Sequence, residues 1–513
     1  MHRLAKLDHA YVWHPFTQMR DWLKREPIVI ASGRGAVLRD ARGREYLDAN
    51  SSIWTNLHGH SHPKINAAIS RQLKKIAHSS ALGLANEPAS LLAEKMVKAA
   101  SPGIDEVRLT MDENEGRAAR KSRISSRKLA KVFFSDDGST AMEVALKLAY
   151  EFARRTGRSQ KPKFLSLQGA YHGDTVGAVS LGHIDLFHKA YAGLLFKSDA
   201  VMAPYCYRCP FNRARPERAD ARDYRQCHWE CVRQVEQRFA AQKKRGNPYA
   251  AMIVEPLMQG AAGMIPQPPG WLRRVAQIVR GHGAQLIADE VMTGFGRAGF
   301  AEEKREQGES ENSSPGRFPT FPPASLFACH HESVQPDFLA LAKGLTGGAL
   351  PMAATLTTQA VFDAFLGEYE EGKTFFHGHS YTGNQMGAAA ALASLEILQG
   401  PASLQARWRL ERTLREELNS LWSLRHVGDI RQVGLMAGIE LVRDWRTRRP
   451  FDRGDRTGSR VCEAMARRGV LTRPIGDVLV MIPPYCTTLP QARRMIEALR
   501  QSVLEVCADG SAG

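Results

Sequence analysis

The middle of the chain alternates short apolar runs with amphipathic segments. Each apolar run is bounded by Gly, Pro, Asp or Ser. Continuous apolar strands that alternate with helices are typical of a mostly parallel sheet covered by helices on both faces, so we predict an α/β fold. The predicted strands are Lys131–Phe134, Lys163–Leu167, Met252–Val254, Gln285–Ala288, Phe338–Leu341 and Ala353–Leu356.

The two ends of the chain have different patterns. Apolar runs around an Ala-Arg-Gly turn predict a hairpin over Ala36–Asp48. After about residue 405 the pattern indicates a long helix, a strand pair and a terminal helix. We therefore predict a large domain at 63–400 and a smaller α+β lobe, built from an N-terminal segment at 1–62 and a C-terminal segment at 401–513.

Between these ends, the stretch from Pro63 to Ala100 has a helical pattern. Its apolar residues recur at intervals of three and four, which predicts one buried face. The residues of this predicted face are Ile65, Ile69, Leu73 and Ile76.

Two segments have the composition of inserted loops. The first covers about 107–129 and is basic; the second, at 302–323, is charged and rich in Ser and Pro. Because neither contains enough aliphatic side chains to bury, we predict mobile loops at both places.

The overall composition excludes membrane, fibrous and mainly disordered proteins. Apolar residues make up 43% and charged residues 24% of the 513 residues, and no apolar run approaches the length of a membrane span. The first 16 residues lack the apolar stretch of a signal peptide, and cysteines are sparse. These observations predict a cytoplasmic protein with no membrane partner.

The net charge of +17 raises the question of nucleic-acid binding. Seven of the basic residues lie between Arg117 and Lys131, where there is no acidic residue. A solvated basic loop explains this stretch, and we expect no nucleic-acid partner. The alternative, a basic nucleic-acid-binding protein on an enzyme-like scaffold, depends on this stretch and the net charge alone.

Four of the eight cysteines form a C-x2-C pair and, after seventeen residues, a C-x3-C pair. This spacing would suit zinc, but free thiols in a surface lobe explain it as well. We leave both interpretations open and assign no metal ligand. The four residues are Cys206, Cys209, Cys227 and Cys231.

Two motifs at the ends of predicted strands could bind ligands. The N–H groups of Gly138, Ser139 and Thr140 lie at the start of a helix and suit a phosphate, although such a sequence can simply cap the helix. Asp289 ends an apolar strand at the edge where α/β enzymes bind ligands, although it could instead cap a turn.

Three further side chains could carry chemistry. Lys343 follows an apolar strand, and burial there would lower its pKa and supply the neutral amine that Schiff-base chemistry needs; alternatively it reaches the surface. Tyr171 could stack on a flat cofactor or pack in the core. Arg473 stands alone among apolar residues, as a carboxylate clamp would.

Taken together and in this order, the motifs resemble those of the class III (ornithine-type) aminotransferases, which use pyridoxal 5'-phosphate (PLP) on the fold-type I scaffold. The segments Tyr11–Met19 and Ser51–Pro63 are similar to those of members that act in biotin biosynthesis. The resemblance implies ping-pong transamination of 7-keto-8-aminopelargonic acid, with S-adenosylmethionine favoured over lysine as amino donor. An aminotransferase for another ω-amino acid or a diamine is the alternative within this family.

The resemblance also implies roles for individual residues. Lys343 would be the catalytic residue and would bind PLP covalently, and the active sites would be shared across a homodimer because His379 and Ser380 reach the phosphate of the other subunit. The implied cofactor-binding residues are Gly138, Ser139, Tyr171, Asp289, Lys343, His379 and Ser380. The implied substrate-binding residues are Phe16, Trp54, Tyr171, Lys343, Gly378 and Arg473.

Several positions depart from the family pattern. Phe16 stands where many relatives have Tyr, and Ile53 where users of adenosylmethionine often have a second Trp. Ile475 and Val480 replace aromatic residues of the same pocket. A sulfonium cation would lose aromatic faces to lie against, so the donor stays open.

Overall fold

The computed structural model describes residues 1–101, 128–300 and 325–508. Apart from residues 128–131, the basic stretch and both predicted insertions lie outside these ranges. Within the described ranges, no helix is both long enough and apolar enough to cross a membrane.

Seventeen strands are present in the described residues. They are β1 Ile30–Arg34, β2 Val37–Asp40, β3 Glu45–Asp48, β4 Leu129–Ser135, β5 Lys163–Leu167, β6 Asp199–Val201, β7 Tyr249–Val254, β8 Met258–Gln259, β9 Ile265–Pro266, β10 Gln285–Asp289, β11 Phe338–Leu341, β12 Ala353–Thr358, β13 Val427–Val433, β14 Met436–Leu441, β15 Val470–Leu471, β16 Pro474–Ile475 and β17 Val478–Met481.

The α-helices of the same residues connect and cover these strands. They are α1 Arg3–Tyr11, α2 Met19–Trp22, α3 Ser51–Trp54, α4 Pro63–Lys75, α5 Glu87–Ala100, α6 Gly138–Arg155, α7 Val176–Leu181, α8 Asp185–His188, α9 Glu230–Lys244, α10 Trp271–Gly281, α11 Gln359–Asp363, α12 Gln385–Gln399, α13 Pro401–Asn419, α14 Thr457–Arg467 and α15 Leu489–Ala508.

A seven-stranded sheet forms the centre of the molecule, in the order β4-β12-β11-β10-β7-β5-β6. Only β12 runs against the others, since it pairs antiparallel with both β4 and β11. All six predicted strands are present in it, and β6 is the strand that the sequence did not predict. The mostly parallel α/β prediction is confirmed.

Alternate side chains of the central strands pack on opposite faces of this sheet. In β10, Ile287 belongs to the apolar cluster that contains the buried face of α6, whereas Leu286 and Ala288 belong to the cluster that contains α9 and α10. Because both faces are covered, the strands need apolar side chains at every position, which is why they read as continuous apolar runs.

Two smaller four-stranded sheets flank the central one. In the first, β1-β2-β3-β15, the predicted hairpin is present as β2 and β3, and Val470 of β15 pairs with Leu47 of β3. The second is β13-β14-β17-β16 and comes entirely from the C-terminal part. The N-terminal and C-terminal segments therefore share a sheet; the domain boundaries themselves stay a prediction.

The helical stretch between Pro63 and Ala100 consists of two helices, α4 and α5. The predicted buried face of α4 was partly wrong. Ile65 is buried, but Leu73 and Ile76 are exposed, and Ala68 and Gln72 are buried instead. The α-helical register is right, but the face turned to the core is offset, which leaves apolar side chains on the surface of this chain.

Candidate active site

A cavity of about 780 Å³ opens where the parallel strands of the central sheet end. Its floor is lined by residues that directly follow β4, β7 and β11, by the last residue of β10, and by residues 171–173 on the loop after β5. The N-terminal segment and the loop between β15 and β17 line the other side. This volume lies within the range of small-molecule sites, and carboxyl strand ends are where open α/β sheets bind ligands.

Lys343 is the second residue after β11 and lines the cavity. Its backbone has a φ of 43°, a left-handed conformation that residues with a Cβ rarely adopt. Its Nζ atom lies 4.7 Å from the centre of the Trp54 ring. Burial lowers the pKa of Lys343, partly opposed by the charges of Asp289 and Glu255. Burial therefore shifts this side chain toward its neutral amine form, compared with an exposed lysine.

Asp289 lies at the end of β10 and faces His172. The Nδ1 atom of His172 lies 2.7 Å from Oδ2 of Asp289, and the N–H of Val291 donates to Oδ1 over 3.1 Å. Both side chains are buried, and Nε2 of His172 has no hydrogen-bond partner in the structure. The pair presents a carboxylate that is fixed on one side by the imidazole.

The start of α6 forms a concave backbone turn beside this carboxylate. Its first N–H groups, of Gly138 and Ser139, have no intrahelical acceptors. A Cβ atom at Gly138 would lie 2.8 Å from Cγ1 of Val291, so this position requires glycine. The expectation for Thr140 was wrong, because its N–H donates to Oδ1 of Asp137 in a capping box.

Tyr171 lies on the loop after β5 and lines the cavity. Its hydroxyl donates to Oδ2 of Asp174 over 2.6 Å, and burial, together with Asp174, raises its pKa. The N–H of Asp174 in turn donates to Oγ of Ser139. The aromatic ring is thereby tied to the helix start that holds Gly138.

Glu255 is a residue of this site that the sequence reasoning missed. It directly follows β7, as Asp289 ends β10, so the same strand-end argument could have found it. It is buried; its Oε2 accepts from the N–H of Gly260 over 2.8 Å and its Oε1 from that of Tyr171 over 3.4 Å. Burial raises the pKa of Glu255 to about 7.

The mouth of the cavity is formed by Phe16, Trp54 and Arg473. Nη2 of Arg473 donates to the carbonyl of Phe16 over 3.0 Å, which ties the N-terminal segment to the C-terminal lobe. Ile53, Ile475 and Val480 also line this part, so its walls are largely apolar.

Eight predicted site residues are thus brought together, and three are not. Gly378 and Ser380 do not line the cavity, and neither does His379, whose Nδ1 lies 3.7 Å from Oδ2 of Asp136. The eight that line it are Phe16, Trp54, Gly138, Ser139, Tyr171, Asp289, Lys343 and Arg473.

The four paired cysteines surround a second, much smaller cavity of about 10 Å³. All of them are free thiols, and burial raises the pKa of Cys206 to about 12 and that of Cys231 to about 11. Within the described part of the chain, no group of three or more His, Cys, Asp or Glu side chains is arranged to hold a metal ion.

The residues of the large cavity fit PLP. The helix start at Gly138 and Ser139 suits its phosphate, Asp289 suits the protonated ring nitrogen, and the neutral amine of Lys343 suits its aldehyde.

Known proteins resemble this chain over nearly its whole length. An enzyme of Geobacter sulfurreducens, adenosylmethionine-8-amino-7-oxononanoate aminotransferase, is 42% identical over 500 residues, which cover 98% of this chain and 97% of that protein. The crystal structure of the enzyme of the same name from Methanocaldococcus jannaschii has a TM-score of 0.81 at 37% identity and covers 98% of each chain. A PLP-bound amine transaminase from an uncultivated Pseudomonas species has a TM-score of 0.79 at 30% identity and covers 96% of this chain and 98% of its own.

The family model for aminotransferase class-III matches residues 19–308 and 324–503. The interruption between the two parts falls within the segment at 302–323 that the sequence marks as an insertion. The matched residues contain the strand ends, the helix start and Lys343, and exclude only Phe16 among the residues of the predicted site that line the cavity. This chain belongs to the class-III aminotransferases, a family of PLP-dependent enzymes.

Proposed function

We propose that this enzyme transfers an amino group to 7-keto-8-aminopelargonic acid and forms 7,8-diaminopelargonic acid in biotin biosynthesis. The names of the similar enzymes from Geobacter sulfurreducens and Methanocaldococcus jannaschii support this substrate. The observation that carries the proposal is the distribution of charge in the cavity. Among the described residues, Lys343 and Arg473 are the two Lys or Arg side chains that line it, and largely apolar walls accompany Arg473 at the mouth. A keto acid with an aliphatic chain matches this lining, since its carbonyl can meet the amine while its carboxylate meets Arg473.

Each floor residue then has a defined task. Asp289 would hold the ring nitrogen of PLP, and Gly138, Ser139 and Tyr171 would hold its phosphate and ring. PLP supplies an electron sink for the carbon that carries the amino group. Lys343 would hold the cofactor covalently at rest. Once the amino donor has displaced it, its free amine would move a proton between the substrate carbon and the cofactor carbon in each half of the reaction.

A homodimer completes the site in this proposal. Gly378, His379 and Ser380, which do not line the cavity of their own chain, would serve the site of a second copy. Exposed apolar side chains on the same chain support such an interface, since isolated monomers rarely expose large apolar patches. They include Leu73, Leu82, Phe376 and Tyr381. Eight free thiols fit a reducing, cytoplasmic location.

We favour S-adenosylmethionine over lysine as the amino donor, on the names of the relatives. Trp54 offers an aromatic face to its sulfonium group, whereas the neighbouring positions Ile53, Ile475 and Val480 are aliphatic.

The absorption spectrum of the PLP-loaded enzyme tests this proposal. We expect S-adenosylmethionine to convert the spectrum to that of the aminated cofactor, and 7-keto-8-aminopelargonic acid to restore it. Lysine and a simple ω-amine are added in parallel as competing donors. If the ω-amine reacts and 7-keto-8-aminopelargonic acid does not restore the spectrum, the enzyme is an aminotransferase for another amine and the proposed substrate is wrong.

A further inference from the structure

The short segment that carries Trp54 has an unusual backbone. Three residues without the freedom of glycine have positive φ angles: 48° at Ser51, 62° at Ser52 and 66° at Trp54. Side chains with a Cβ rarely adopt this region, and such strain persists only where the surroundings fix the backbone. Strained backbone of this kind tends to occur at ligand sites.

The carboxylate of Asp48 holds the start of this segment. It is 2% exposed, its Oδ2 accepts from the N–H of Ser52 over 2.8 Å, and its Oδ1 accepts from the N–H of Asn50 over 3.1 Å. Two backbone N–H groups on either side of the strained Ser51 are thereby fixed to one side chain.

The same carboxylate also holds the end of the segment. Nε2 of His60 lies 2.9 Å from Oδ2 of Asp48, and Nδ1 of His60 lies 2.9 Å from Nδ2 of Asn56. His60 therefore connects Asp48 to the residues that follow Trp54. Asp48 is the common partner of both ends of the loop.

The loop transmits this restraint to the indole ring. Nε1 of Trp54 donates to Oδ1 of Asn50 over 2.9 Å, and Asn50 is the residue whose N–H Asp48 binds. Trp54 lines the cavity, and its ring centre lies 4.7 Å from Nζ of Lys343. Asp48 itself does not line the cavity, so any effect on substrate must pass through this loop.

We propose that Asp48, together with His60, is a positioning residue that holds the strained loop and sets the place of Trp54 beside the substrate. The proposal rests on the proposed function only in that it takes Trp54 as a wall of the substrate site.

Asp48→Asn removes the charge and keeps the shape. We expect the KM for the keto acid to rise about 10- to 100-fold, because small misplacements of a positioning group have effects of this size. The affinity for PLP and the absorption of the loaded enzyme should stay unchanged. Hydrogen exchange measured by mass spectrometry should be faster in peptides that cover residues 50–56.

Asp40→Asn is the matched control. Asp40 is also buried, and its Oδ1 accepts from the N–H groups of Arg42 and Arg44, but it lies away from the active-site cavity. We expect this variant to lose stability with a KM close to that of the unaltered enzyme. His60→Gln, which keeps an N–H donor, should have a smaller effect on KM than His60→Leu.

The proposal is overturned if Asp48→Asn keeps the KM and the exchange rates of the unaltered enzyme, or if Asp40→Asn raises KM equally. If Asp48→Asn does not fold, the two His60 variants decide, and equal KM values for them overturn it. If the unaltered enzyme does not accept 7-keto-8-aminopelargonic acid, the proposed function fails. The KM values of the variants are then compared with whichever substrate the enzyme accepts. The hydrogen-exchange measurement needs no substrate and is unaffected.

Discussion

The floor and the mouth of the cavity are built in different ways. The floor comes from strand ends of the central sheet, and its polar groups are buried: His172 is 3%, Asp289 5% and Glu255 7% exposed. The mouth comes from the N-terminal and C-terminal segments, where Phe16 is 54% and Ile53 45% exposed.

This difference indicates that the floor carries the chemistry and that the mouth selects the substrate. Burial at the floor disfavours charged forms, which lowers the pKa of Lys343 and raises that of Glu255. A strand end also fixes its side chains from both neighbours. At the mouth, Phe16, Ile53 and Arg473 are exposed, and these positions can differ between enzymes without disturbing the floor. Changes at the floor should therefore affect every substrate equally, and changes at the mouth should discriminate between substrates.

The largest effect is expected at Lys343. Lys343→Ala removes the amine that we propose transfers the proton, so turnover should fall by about 1,000-fold or more with every donor and acceptor. Borohydride should no longer fix the cofactor to the chain. Steady-state rates and the mass of the reduced protein measure this. Lys161→Ala changes an exposed lysine and should leave both unaltered; equal losses with the two variants would contradict a specific role for Lys343.

The pH dependence of the floor is the next test. Since burial lowers the pKa of Lys343 below its usual 10.5, the rate at which the protein without cofactor takes up PLP should rise about tenfold per pH unit and level off below pH 10.5. Glu255→Gln removes a charge that raises this pKa, so the plateau should begin at lower pH.

Arg473→Gln is the control for this pH profile. Because Arg473 lies at the mouth of the cavity, this substitution should not change the pH at which the plateau begins. A plateau that begins at pH 10.5 or above in the unaltered protein would argue against a buried neutral amine.

Arg473 itself tests the selectivity of the mouth. Its hydrogen bond to a substrate carboxylate is charged but exposed, at the lower end of the usual 1.5–3 kcal/mol, so Arg473→Gln should raise the KM for the keto acid about tenfold. The maximal rate and the affinity for PLP should not change. The KM of Arg473→Lys should lie between that of Arg473→Gln and that of the unaltered enzyme. An amine or ketone without a carboxylate provides the comparison, and an equal loss with it would contradict selection by Arg473.

The smallest effect is expected at Ile53. Ile53→Trp adds an aromatic face at an exposed place, which is worth about 0.5–1 kcal/mol to a cation and should improve the affinity for S-adenosylmethionine about 2- to 5-fold. The concentration dependence of the donor half-reaction measures it, with Ile53→Leu as control. The same gain with Ile53→Leu would indicate packing and not an interaction with the cation.

Local patterns predicted much of this molecule. The six central strands were found because a strand buried on both faces must be apolar at each position, and Asp289 and Lys343 because they directly follow such runs. The strand β6 was missed because its three residues give no pattern. The buried face of α4 was partly misassigned because periodicity gives the spacing of a face and not the neighbour it packs against.

The sequence by itself determined the alternation of strands and helices and the residue types at the strand ends, since both depend on neighbours along the chain. Only the tertiary structure decided that His172 faces Asp289, that Glu255 binds the N–H of Tyr171, and that Asp48 holds the loop of Trp54. The first two contacts join residues more than 80 positions apart, and the third depends on positive φ angles that the residue types do not favour. The lowered pKa of Lys343 belongs to the same class, because burial depends on what the whole fold brings around a side chain.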